Sequence, residues 1–189
     1  MISAADAFLS VRAALELAGI RYAIGGSWAS TAFGEPRFTN DIDILADFTS
    51  ESLARFLGSL PATIFVDYDE AQNAVRIGRP FNVIYMPMAF KFDFFPAQAY
   101  PLGLQELERA VFLADSGLSE TPTPFVTPED IVLAKLHWYR AGGEVSNVQW
   151  RDIQGILRGC GATLDRQYME RNAGTLGITS LLERALRDT

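Results

Sequence analysis

The order of strand, glycine turn, short helix and strand in residues 21–48 is the feature that most limits how this chain can fold. The segments RYAIGG and DIDILADF both have the composition of short strands. Between them, the sequence predicts a short helix from Ser27 to Phe33, followed by glycine and proline. In the second strand acids and aliphatic residues alternate, so Asp41 and Asp43 share one face while the aliphatic face packs on a core.

The segments on either side extend this pattern to a sheet with helices. Residues 3–18 repeat apolar side chains at helical spacing and stop at a glycine, and SESLARFLGSL predicts a second helix capped by Thr49 or Ser50. ATIFV predicts another strand. Three further β-rich segments, expected to form a meander, are NAVRIG, FNVIYMPM and FKFDFFP. We therefore predict an α/β (α+β) fold with a mixed sheet flanked by helices.

Residues 114–124, rich in Ser, Thr, Pro and Gly, predict a connector before a helical region. Thr127 followed by Pro128 and two acids is typical of a helix start. Three helices are predicted near 128–140, 146–159 and 174–187, with a shorter helical turn near 164–171. The predicted domains are a core over residues 1–120 and a C-terminal helical bundle over residues 121–189.

Composition excludes several classes of protein. With 189 residues, 49% of them hydrophobic, the chain can bury a substantial core. No apolar run reaches the roughly 18 residues of a membrane span, and the start of the chain lacks the basic region of a secretory signal, so we expect a cytoplasmic protein without a membrane partner. Cys160 is the only cysteine, which excludes an intramolecular disulfide. The net charge of −7 disfavours an extended nucleic-acid surface.

Three acids are candidate metal ligands. Asp41 and Asp43 repel one another unless solvent or a cation intervenes, although a solvated sheet face would also explain them. Asp93 lies in an apolar strand with Lys91 on its own side, so it needs a partner, either a metal ion or an ion pair with Lys91 or an arginine.

The turn Gly25-Gly26-Ser27 is a candidate phosphate site. Glycines let a ligand approach the backbone, and the free N–H groups of the following helix attract anions. The structural alternative is a tight turn in which Ser27 caps the helix.

In combination these segments resemble a known superfamily. IGGS, then RFTNDIDI, then KFD resemble the nucleotidyltransferases, whose pattern is Gly-Gly/Ser, Asp-x-Asp and a third Asp on a neighbouring strand. Residues 127–157 and 164–186 further resemble the AbiEii-like nucleotidyltransferases, which include toxins of bacterial toxin–antitoxin systems. The resemblance covers most of the chain and is weakest over residues 47–80.

The resemblance implies a role for each matching residue. Asp41, Asp43 and Asp93 would be catalytic and would bind metal, expected to be two Mg²⁺ ions. A nucleoside triphosphate would be bound by residues of the glycine turn, the loop after it, the KFD strand and two later helices. These residues are Gly25, Gly26, Ser27, Arg37, Thr39, Lys91, Lys135 and Asp152.

Helical spacing provides a separate argument for two of these positions. Lys135 shares a helix face with bulky apolar neighbours, and Asp152 is flanked in the same way, so both charges are expected beside packed surface. A salt bridge between helices is as good an explanation as a ligand role. His137, the only histidine, and the aromatic residues Trp138, Tyr139 and Trp150 are expected to pack rather than bind a ligand.

The implied activity is magnesium-dependent transfer of a nucleoside monophosphate from the triphosphate to an acceptor hydroxyl, such as an RNA or tRNA end. Alternatives are an enzyme that modifies an antibiotic or a protein, and a non-catalytic nucleotide-binding module that acts through a partner. A toxin of this type would also have an antitoxin protein as a partner.

Overall fold

The chain alternates helices and strands in its first two thirds and is helical in its last third. The computed structural model describes residues 3–114 and 116–189. In chain order the elements are α1 (Ala4–Leu17), β1 (Tyr22–Ile24), α2 (Gly26–Phe33), β2 (Asp41–Ala46), α3 (Ser50–Ser59), β3 (Ile64–Phe65), α4 (Tyr68–Ile77), β4 (Phe81–Tyr85), β5 (Phe90–Pro96), α5 (Gly103–Arg109), β6 (Val111–Leu113), β7 (Thr123–Phe125), α6 (Pro128–Ala141), α7 (Asn147–Cys160), α8 (Arg166–Leu176) and α9 (Thr179–Arg187).

These elements form two compact units. The first, called here the sheet unit, consists of Met1–Ile24 and Thr39–Phe125. The second, called the helical unit, consists of Gly25–Phe38 and Val126–Thr189. The helical unit therefore includes α2, which lies far from its other helices in the sequence.

All strands of the described residues form one mixed sheet in the sheet unit. Its strand order is β3-β4-β5-β2-β1-β7-β6. The pairs β2–β5 and β1–β7 are parallel, and the remaining neighbours are antiparallel. A mixed sheet flanked by helices is the fold class predicted from the sequence, and the structure confirms it.

The two central parallel strands carry the alternation that the sequence predicts. On one face of β2 and β5, Ile42, Ile44, Phe92 and Phe94 are completely buried. Ring contacts extend this core, since the rings of Phe81 and Phe94 stack with centroids 5.2 Å apart. The opposite face is polar and carries Asp41, Asp43, Lys91 and Asp93.

One predicted strand is wrong, because residues 73–77 belong to helix α4 and Gly78 is its C-cap. Asp67 caps this helix by accepting a hydrogen bond from the backbone N–H of Glu70 at 2.9 Å. Gly78 ends it in the left-handed conformation, with φ +68°. Helix formation buries Ala71 and Ala74, which are three residues apart.

The predicted connector over residues 114–124 needs a smaller correction. Its end, from Thr123, forms β7, which pairs with β6 across the connector. Asp115, within the predicted connector, lies outside the described residues.

In the helical unit, α6 begins at the residue that the sequence predicts. The backbone N–H of Asp130 donates to the hydroxyl of Thr127, and Pro128 occupies the first turn. The end of this unit differs from the prediction, because a single helix over 174–187 is replaced by α8 and α9. Gly177 separates them with φ +67°, a conformation that favours glycine.

No helix in the described part of the chain is long and apolar enough to cross a membrane.

Candidate functional site

The predicted metal ligands all lie on one face of the sheet unit, which we call the carboxylate face and define as Asp41, Asp43, Lys91 and Asp93. In the parallel pair β2–β5, Asp43 lies opposite Asp93 and Asp41 lies opposite Lys91. Residues opposite one another on neighbouring strands point to the same side of a sheet. The sheet register thus places on one surface three acids that come from two separate sequence segments.

Polar contacts within the sheet unit orient this face. The hydroxyl of Thr39 donates to Oδ1 of Asp41 at 2.6 Å. Nζ of Lys91 lies 2.7 Å from Oδ2 of Asp93, so the ion pair that the sequence left open as an alternative is present. The pKa of Lys91 is raised, mainly by its hydrogen bond with Asp93, with smaller contributions from the charges of Asp93, Asp41 and Asp43.

The chemistry of the donor set fits a hard divalent cation. Mg²⁺ prefers oxygen ligands and is usually bound by one or two carboxylates with substrate phosphates and water. Three aspartates on one face provide such oxygens. Over the residues that the structure describes, however, no three acidic, histidine or cysteine side chains are grouped as a metal site. On the carboxylate face, Asp93 instead contacts the Lys91 ammonium.

The glycine turn lies in the helical unit, at the start of α2. Gly26 has φ +53°, a left-handed conformation that a side chain would strain. Gly25 is the N-cap of α2 and no side chain caps this helix, so the alternative role of Ser27 as a cap is wrong. Ser27 lies within the helix, and its hydroxyl accepts a hydrogen bond from Nη2 of Arg37.

Three of the predicted nucleotide-binding residues meet in the helical unit, in what we call the Asp152 cluster, comprising Arg37, Lys135 and Asp152. Nε of Arg37 is 3.2 Å from Oδ1 of Asp152, and Nζ of Lys135 is 2.9 Å from Oδ2. The side chain of Asp152 is 6% exposed, that of Lys135 11% and that of Arg37 27%. One carboxylate thus contacts two cations in a mostly buried position, so the cluster has one more positive than negative charge.

The loop that carries Arg37 is fixed by contacts that sequence reasoning missed. The backbone N–H of Arg37 donates to the Thr31 hydroxyl at 3.4 Å. Arg158 of α7 forms a 2.6 Å ion pair with Glu35. A Cβ at Gly159 would lie 2.8 Å from the carbonyl oxygen of Phe33, so glycine is needed where the end of α2 crosses α7. Two glycines spaced four apart in α7, Gly155 and Gly159, were the available sequence signal.

The residues expected to pack are only partly buried. Tyr139 is buried, and its ring lies 5.3 Å from that of Trp150. Trp138, expected in the core, is 48% exposed, which makes that prediction wrong. The pKa of His137 is lowered by burial and by the charge of Arg140. His137 lies in the helical unit on α6, and the carboxylate face belongs to the sheet unit.

Comparison with solved structures shows which known fold this chain shares. The antibiotic-resistance factor ANT(2'')-Ia is 18% identical, with a TM-score of 0.53 over 98% of this chain and 97% of that protein. An antigenic nucleotidyltransferase-like protein from Paracoccidioides brasiliensis is 17% identical, with a TM-score of 0.54 over 95% of this chain and 90% of that protein. The chain therefore has a nucleotidyltransferase-like fold.

Sequence comparison adds no closer relation. No protein-family model matches the chain. No curated protein matches it either.

Proposed function

We propose that this protein is a magnesium-dependent nucleotidyltransferase of the AbiEii-like type that transfers a nucleoside monophosphate from a nucleoside triphosphate to an acceptor hydroxyl. The observation that carries the proposal is the register of β2 and β5, which places Asp41, Asp43 and Asp93 on one face of a nucleotidyltransferase-like sheet. Carboxylates that share a face are what a magnesium site for phosphate chemistry requires.

In the sheet unit, Asp41 and Asp43 would hold the metal, and the Thr39 hydroxyl orients Asp41. Bound Mg²⁺ supplies positive charge that stabilises the phosphate oxygens in the transition state. Asp93 would be the third residue to hold the metal and would accept the proton of the acceptor hydroxyl. The acceptor oxygen forms a bond to the α-phosphorus while the bond to the β-phosphate oxygen breaks, and pyrophosphate leaves.

In the helical unit, the positive φ of Gly26 and the uncapped start of α2 support phosphate binding by Gly25, Gly26 and Ser27. Arg37 and Lys135 neutralise phosphate charge. Asp152, which contacts both cations, holds them in place rather than contacting the nucleotide. This role replaces the direct nucleotide contact that the family resemblance implied for Asp152.

Two kinds of acceptor follow from different observations. The resemblance of the helical segments to AbiEii-like toxins supports an RNA end, and with it an antitoxin partner and a cytoplasmic location. The fold shared with ANT(2'')-Ia, an antibiotic-resistance factor, supports a small-molecule acceptor. Charge favours the small molecule, because the sheet unit contains 14 Asp and Glu against 7 Lys and Arg.

The test is transfer of label from α-³²P nucleoside triphosphates in the presence of Mg²⁺. Each nucleotide is incubated with total RNA in one reaction and with aminoglycosides and lincosamides in another, and the labelled product is separated by size. We expect one fraction to be labelled, with no label when EDTA removes the metal. The double substitution Asp41→Asn with Asp43→Asn should abolish transfer.

A matched control is Asp69→Asn, which removes an exposed acid of the same unit and should leave transfer unchanged. Wild-type-like transfer by the double variant would refute the assigned metal ligands. If the protein binds nucleotide in calorimetry but labels no acceptor, the non-catalytic binding module is the better account.

A further inference from the structure

Lys91 places an ammonium group among the carboxylates that would bind magnesium. Its Nζ is 2.7 Å from Oδ2 of Asp93. Asp43 lies opposite Asp93 in the sheet, and Asp41 lies opposite Lys91 itself. The carboxylate face therefore already contacts one cation, supplied by the chain.

This cation competes with a metal ion for two physical reasons. Oδ2 of Asp93 is engaged by the ammonium and would have to exchange that contact for a metal bond. A positive charge held within hydrogen-bond distance of a ligand also disfavours a second cation beside it.

Lys91 is also able to leave. Its side chain is 41% exposed, whereas that of Asp93 is 15% exposed. A lysine ammonium sits on a flexible four-carbon stem and readily changes partners. A triphosphate carries several negative charges and is a better partner for an ammonium than a single carboxylate.

Building on the proposed function, we propose that Lys91 blocks the carboxylate face against free divalent metal until a nucleoside triphosphate draws its ammonium away from Asp93. Metal and nucleotide would then raise each other's affinity, because the ion pair between Lys91 and Asp93 opposes the binding of both and is broken when either one binds. Asp41, Asp43 and Asp93 would then receive the metal together with the nucleotide or after it.

The test measures metal binding directly, with Mn²⁺ as the probe and electron paramagnetic resonance to count the free ion. Wild-type protein is compared with Lys91→Met, which removes the charge, and with Lys91→Arg, which keeps it. The control is Arg79→Met, which removes the charge of an exposed base in the same unit as Lys91. Each protein is titrated alone and with a non-hydrolysable α,β-methylene triphosphate.

Without nucleotide we expect Lys91→Met to bind Mn²⁺ about tenfold or more tightly than wild type. Lys91→Arg and Arg79→Met should bind as weakly as wild type. The nucleotide analogue should tighten Mn²⁺ binding to wild type and have a much smaller effect on Lys91→Met. Circular dichroism checks that each variant is folded, and Lys91→Gln is used if Lys91→Met is not.

Two outcomes overturn the proposal, and they differ in what they say of the function. If the neutral variants bind free Mn²⁺ no more tightly than wild type, Lys91 is not a block, while transfer activity can stand. If no protein binds Mn²⁺ even with the analogue, the metal site fails and the Lys91 proposal fails with it.

Discussion

The surroundings of Asp152 distinguish two possible roles for this residue, contacting a nucleotide or holding neighbouring cations in place. Its carboxylate is almost fully buried and contacts the cations of Arg37 and Lys135. A nucleotide phosphate would be repelled by this carboxylate but attracted by the two cations. In the proposed function, Asp152 therefore orients the two cations and does not contact the nucleotide.

We predict that Asp152→Asn lowers the free energy of unfolding by about 3 kcal/mol, because it leaves two cations without their buried counter-charge. Added pyrophosphate should restore part of this loss, since it supplies the missing negative charge. Urea denaturation with and without pyrophosphate measures both effects. Asp188→Asn, at an exposed position of the same unit, is the control and should change stability little. A variant as stable as wild type would contradict the assigned role.

For single residues, the sequence predicts whether a side chain is buried better than it predicts which side chain it contacts. Helical spacing placed Lys135 and Asp152 beside packed surface, and both side chains are largely buried. Helical spacing does not show whether Lys135 and Asp152 contact one another, and in the structure they form an ion pair. The contact of Arg37 with Asp152 joins positions 115 residues apart, so no local pattern carries it. Lys91 and Asp93 were predictable as neighbours because strand period two puts both on one side.

Among the elements, the crossing of α2 and α7 depends on glycine at Gly34 and Gly159. A Cβ at Gly159 would approach the Phe33 carbonyl oxygen to 2.8 Å, and one at Gly34 would approach the backbone nitrogen of Ile156 to the same distance. Real Cβ atoms do not lie this close to backbone, so the two segments would have to separate. The loop from Glu35 to Arg37 continues from this crossing.

We predict that Gly159→Ala lowers the free energy of unfolding by about 1–3 kcal/mol, the usual cost of overpacking. Gly174→Ala is the matched control, because Gly174 also lies in a helix of this unit and a Cβ there meets nothing within 4 Å. That substitution should raise stability by about 0.5–1 kcal/mol through helix propensity. Thermal and urea denaturation compare the two, and an equal effect of both substitutions would contradict the crossing argument.

Helices with capping residues at their ends are predictable from the sequence. Short strands that form only by pairing with distant segments are harder to predict. Thr127 with Pro128 predicted the start of α6 at the residue where it begins. The β-branched residues of NAVRIG favour a strand, but Asp67 and Gly78 cap a helix at its two ends, and the segment is helical. Short strands such as β6 and β7 gain their order from pairing with one another, which three residues of sequence do not reveal.

For the whole molecule, charge divides between the two units. The helical unit has nine acids and nine bases, so the entire net charge of −7 belongs to the sheet unit. The sequence reveals the net charge but not this distribution, because Gly25–Phe38 packs with helices that begin about 90 residues later in the chain. Such grouping arises from packing and is not visible in the order of segments.

This distribution predicts weak binding of long RNA. Non-specific affinity comes from phosphates neutralised by clustered Lys and Arg, with typical dissociation constants of about 10⁻⁴–10⁻⁶ M at physiological salt. We expect the wild-type protein to bind a fluorescein-labelled RNA hairpin more weakly than about 10⁻⁴ M, with little salt dependence in anisotropy titrations. A control variant carrying Asp69→Lys, Glu108→Lys and Glu120→Lys changes three exposed acids of the sheet unit and should bind more tightly, with a steeper loss of affinity as salt rises. Micromolar binding by the wild-type protein would instead mean that local basic contacts outweigh the charge of the sheet unit, and would favour an RNA end as the acceptor.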